Sequence, residues 1–73
     1  MIQQKSVAAE ISQLMIDYGA KLDASVTLVK AQCSNEEFGA YRKAVGKVMA
    51  DMLFEIMNPL YEKHPDLKPV ELR

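Results

Sequence analysis

The sequence predicts an all-α fold: two long antiparallel helices, about residues 5–33 and 35–63, joined by a short turn and followed by a short extended tail, 64–73. Three observations carry this. Apolar residues recur at gaps of three and four, no proline interrupts the first 58 residues, and the one break in the pattern coincides with a helix-start signature.

In the first helix the apolar stripe is Val7, Ile11, Leu14, Met15, Tyr18, Leu22, Val26, Val29 and Cys33. Strands would need strict alternation, and the β-branched residues here are scattered rather than clustered. The turn follows at Ser34-Asn35-Glu36-Glu37. The Ser34 hydroxyl is placed to accept from the Glu37 amide and the Glu37 carboxylate to reach back, a capping box. Two acids in that first turn also favour the positive end of the helix dipole. The second helix carries Phe38, Tyr41, Val45, Val48, Met49, Met52, Leu53, Ile56 and Leu60. Asn58-Pro59 predicts a kink or restart, because proline removes one backbone bond and disfavours helical geometry before it, with helix persisting to about Lys63. Two further prolines, Pro65 and Pro69, make the last ten residues a tail. Its Leu67 and Leu72 fold back onto the helices, or the tail stays loose or joins a partner's surface.

A chain of 73 residues hides only about 60% of its unfolded surface and draws roughly 3–5 kcal/mol from its core. One cysteine, Cys33, cannot form an internal disulfide. With a single histidine, His64, no thiol and imidazole set for structural zinc exists. Regular packing and oligomerisation remain as supplements. The composition, 49% hydrophobic and 26% charged, is globular rather than disordered, and a formal charge of −1 favours no particular partner. No apolar run reaches the length of a secretory signal or of a membrane span, so the expectation is a cytoplasmic protein with no membrane partner. The free thiol fits a reducing compartment.

Two helices side by side enclose no interior, and the first stripe spans more than the roughly 100° that one neighbouring helix covers. A two-fold homodimer forming a four-helix bundle is the simplest closed arrangement. A different protein partner satisfies the same physics. If paired positions sum to about 68, Val29 faces Gly39, Leu22 faces Gly46, Met15 faces Leu53 and Ala8 faces Leu60. Close backbone approach is one reason to keep Gly39 and Gly46; simple tolerance is the other. Off the main stripe lie further apolar residues, from which the candidate interface is Ile16, Leu28, Phe54, Met57 and Tyr61. Isolated exposed apolar residues are normal, whereas Phe54, Met57 and Tyr61 together point to a second contact surface. A charged residue at Phe54 is expected to weaken assembly or partner binding.

No catalytic signature appears. Glutamate three residues before histidine, as in helix-borne metal sites, is absent, and Asp51, Glu55 and Glu62 lie on a side away from the apolar stripe, where a solvated face is the better reading. His64 reads as a turn residue and Cys33 as a small buried hydrophobe. The three glycines are isolated, so no phosphate-binding loop exists. The expectation is no enzymatic activity and no cofactor or metal. One basic feature, Arg42 and Lys43 with Lys47 a turn later, supports an alternative reading as a dimeric nucleic-acid-binding protein. Against it, Tyr41 lies on the apolar stripe, Asp51 is placed to pair with Lys47, and the chain is slightly acidic. The leading expectation is a self-associating helical protein-interaction module.

Overall fold

A computed structural model describes residues 1–69. Leu72, one of the two tail leucines, lies outside the described residues. The chain is a helical hairpin, with no strand among the described residues. Helix α1 runs Lys5–Gln32 and α2 runs Asn35–Asp51. The second arm continues through a π-helical segment, Met52–Met57, into α3, Asn58–Lys63, and ends in a 3₁₀ turn, Pro65–Leu67.

The turn is made as the sequence dictates. Ser34 is extended (φ −67°, ψ 161°); its Oγ accepts from the Glu37 amide at 3.1 Å, and Glu37 Oε1 accepts from the Ser34 amide at 3.1 Å. The bond from the Ser34 amide, and after it the Ser34 hydroxyl, favours the carboxylate, so Ser34 holds the Glu37 carboxyl below its ordinary range. A depressed carboxyl pKa contributes stability above the unfolded value and loses it as pH falls through the folded one. Asp66, lowered by its pairing with Lys5, acts in the same sense. Glu37→Gln is therefore expected to flatten, though not abolish, the fall of the melting temperature as neutral solution is acidified through the carboxylate range.

Pro59 does not end the second arm. A proline lacks the amide hydrogen and its ring strikes the carbonyl four residues back. The turn before it is widened instead: the Asn58 amide bonds to the Leu53 carbonyl, five residues back. This extra residue re-phases everything that follows. Met57, Leu60, Tyr61 and His64, spaced as i, i+3, i+4 and i+7, now share the inward stripe.

The register follows the sum of 68. Lys30 Nζ lies 5.8 Å above the Phe38 ring, Gly19 packs on Met49, and Ala8 shares a buried cluster with Leu60. That cluster, at the open end, is the core: Ala8, Leu60 and Tyr61, with Ile2, Ile11, Met57 and Leu67 against it. Leu67 thus folds back. His64 is buried rather than a plain turn residue, its Nε2–H donating to the Ile2 carbonyl at 2.7 Å. The Lys5–Asp66 ion pair closes the same end.

Tyr61, placed by the sequence pattern on an outer surface, is only 5% exposed, because the π segment turns it inward. Its hydroxyl lies 2.6 Å from Ser12 Oγ, also buried. Tyr61→Phe leaves the Ser12 hydroxyl without this partner and should cost about 1–3 kcal/mol. Adding Ser12→Ala should recover part of that loss in denaturant titrations.

Among the described residues no other part of the chain closes on Gly39 or Gly46: beyond its own helix backbone, a Cβ at either would meet no atom within 4 Å. The close glycine is Gly19, whose Cβ would lie 3.8 Å from the Met49 methyl. Gly46→Ala is accordingly expected to raise stability by about 1 kcal/mol, the helix-propensity difference. A lowered melting temperature would show that Gly46 has a contact outside this chain. Cys33 is exposed, not buried, because the backbone leaves the helix there in an extended conformation (φ −118°, ψ 172°).

The hairpin measures 44 × 19 × 16 Å with a radius of gyration of 14.5 Å, against about 11 Å for a compact chain of this length. Beyond the open end its interior is a seam one helix wide, with Val45 its buried residue among α2 side chains.

Candidate association face

Along α1, Val7, Ile11, Leu14, Tyr18 and Ser25 follow one another at gaps of four, three, four and seven, one stripe of helix surface. Along α2 and its continuation, Tyr41, Val45, Val48 and Met52 do the same at gaps of four, three and four. The Tyr41 and Ser25 hydroxyls are 2.8 Å apart, and Ser25 also donates to the Leu22 carbonyl at 2.6 Å. Tyr41 therefore donates to Ser25, and this bond ties the two stripes to one side of the hairpin.

That side is apolar and wet. Leu14 is 43% exposed, Tyr18 51% and Val48 49%, with Val7 exposed beside them and Ile11, Tyr41 and Met52 half-buried. Toward the turn the band continues into an open recess of about 490 Å³ lined by Val29, Cys33, Glu37, Ala40 and Tyr41. Lys21, seven residues after Leu14, and Asp51, three after Val48, border it and are exposed.

The residues singled out from the sequence are not gathered here. Ile16, Leu28 and Phe54 are exposed, but Ile16 and Leu28 are twelve residues apart, about 120° around α1, and Phe54 belongs to the other arm. Met57 and Tyr61 serve the open-end core. The main stripe itself supplies the exposed band, and its excess breadth was the sequence signal for it.

Arg42, Lys43 and Lys47 are exposed, and the first two flank a shallow recess of about 300 Å³ beside Gly39. Tyr41, beside them in sequence, is half-buried with its hydroxyl bonded to Ser25. Among the described residues no three histidine, cysteine or acidic side chains converge as a metal site, and no helix is long and apolar enough to cross a membrane. Comparison with protein-family models, curated proteins and solved structures finds no match.

Proposed function

We propose that this chain is a self-associating helical protein-interaction module without catalytic activity, and that its working unit is a homodimer in which two hairpins form a four-helix bundle. The observation that carries this is the apolar band of Val7, Leu14, Tyr18 and Val48, exposed along one side of a hairpin that has no closed interior beyond its open end. Contiguous exposed apolar surface of this kind is a contact surface, and a second copy is the partner always present. Sedimentation equilibrium across a wide concentration range tests the reading. It expects a mass near twice the 8.2 kDa of one chain. A folded monomer at every concentration overturns it, and an unfolded monomer assigns the band to a different, obligate protein partner.

A second reading, a dimer that binds nucleic acid, rests on the exposed cations Arg42, Lys43 and Lys47. It expects retardation of RNA or DNA that weakens steeply as salt is raised.

A further inference from the structure

The hairpin carries more surface than its mass accounts for. It exposes 5428 Å², whereas a compact chain of this mass exposes roughly 4,500 Å². The excess, roughly 900 Å² by the same scaling, is close to the share of about 800 Å² that one partner contributes to a standard stable interface. One further hairpin laid on the apolar band accounts for it.

Charges line the two outer edges of that band. On α1 they are Lys21 and, eleven residues or about three turns before it, Glu10. On the second arm they are Asp51 and Lys63, twelve residues apart. One of the twelve is the extra residue of the π segment, so these two are also about three turns apart. All four are exposed. With Gly19 beside Met49 and Ala8 beside Leu60, Lys21 stands about one helical turn nearer the Ser34 end than Asp51 does, and Glu10 slightly more than that nearer it than Lys63.

Two hairpins face to face have two symmetric solutions. With the turns at opposite ends, each helix lies on its own counterpart. Overlap is greatest when the two-fold axis crosses the middle of α1, near Gly19. Lys21 then meets the partner's Lys21, and Asp51 the partner's Asp51, each pair offset by about 6 Å along the helices. Lys63 alone reaches an opposite charge, the partner's Glu37, a carboxylate already engaged by the Ser34 amide. Sliding the copies relieves the like charges only by uncovering the band.

With the turns at the same end, α1 of one copy lies on the second arm of the other, and the axis runs parallel to the helices. A two-fold axis in that direction permits no slide, so the hairpin's own register is imposed on the contact between copies. That register sets Lys21 about one turn from the partner's Asp51, and Glu10 just over one turn from the partner's Lys63, offsets that the four-carbon stem of a lysine spans. Symmetry gives each pair twice. Between these edges Tyr18 comes level with the gap between the partner's Val48 and the partner's Met52. Opposite charges bracketing an apolar contact fix its orientation.

Resting on the self-association proposed above, we infer that the second copy docks on this band with both turns at the same end. The Glu10 and Lys21 edge of each copy lies against the edge that carries the partner's Asp51 and the partner's Lys63.

Two measurements test it. Cys33, exposed at the turn and the single cysteine of the chain, takes a nitroxide label for pulsed dipolar distance measurement. The same-end dimer holds the two sites within about 20 Å, two helix spacings. The opposite-end dimer holds them about 40 Å apart, because Cys33 lies fourteen residues from Gly19. Charge reversal reads the edges. Lys21→Glu or Asp51→Lys alone should raise the dimer dissociation constant on the order of tenfold in sedimentation, and the double variant should recover most of the loss. Doubled mass of the labelled chain, a short distance and that recovery are expected. Doubled mass with a distance near 40 Å, single reversals without effect, or a double variant that recovers nothing overturns the same-end arrangement and leaves self-association standing. Monomer mass of the unaltered chain at every concentration overturns self-association itself, and the arrangement with it.

Discussion

Leu60→Ala is expected to abolish cooperative unfolding of this chain. Among the described residues Leu60 is the large side chain that is fully buried, and it sits where Ala8, Ile11, Tyr61 and Leu67 meet. Truncating a buried leucine costs about 2–5 kcal/mol, the lost burial plus the cavity left behind. A chain this small draws roughly 3–5 kcal/mol from such a core. The two magnitudes are alike, so the variant should show low helical signal and a broad melt by circular dichroism. The loss should also spread, because the Ile2–His64 and Lys5–Asp66 contacts are held by the same packing. A melting temperature that barely moves would place the stability elsewhere, in the apolar band covered by a second copy. Raising the protein concentration would then raise the melting temperature further.

How much of this was legible beforehand follows from which rules are local. The capping box at Ser34 and Glu37 depends on four residues, and it forms as read. The antiparallel register depends on helical periodicity and turn length, and Gly19 with Met49 obeys it. The position of Tyr61 depends on how the second arm accommodates Pro59. Proline announces a disturbance there without saying whether the helix kinks, restarts or widens by one residue. A widened turn moves Tyr61 and His64 inward together, and no count at 3.6 residues per turn yields that. Gly39 and Gly46 were open to two explanations for a similar reason: a glycine in a helix costs the same whether a neighbour presses on it or not. The apolar band was visible as the breadth of the first stripe. Its edge required the Ser25–Tyr41 bond, which shows the side of the hairpin on which that breadth lies.

Leu14→Glu should leave the hairpin folded and the assembly broken. Leu14 is 43% exposed in the single chain, so a carboxylate there meets water and α1 keeps its seam with α2. In a dimer formed through the band the same position is covered. Losing the burial of the exposed two-fifths of a leucine forfeits about 1 kcal/mol, and two-fold symmetry applies the loss twice. About 2 kcal/mol corresponds to a rise of roughly 30-fold in the dissociation constant, before the cost of desolvating two carboxylates. Sedimentation should therefore find monomers where the unaltered chain is dimeric, with unchanged helical signal. Phe54→Glu is the contrasting variant. At 64% exposed, in the π segment and outside the band, Phe54 is expected to tolerate the charge with no change of mass. The pair of outcomes assigns the interface by itself. If Phe54→Glu separates the copies and Leu14→Glu does not, association runs through the outer side of the second arm, and the band is left for a different chain.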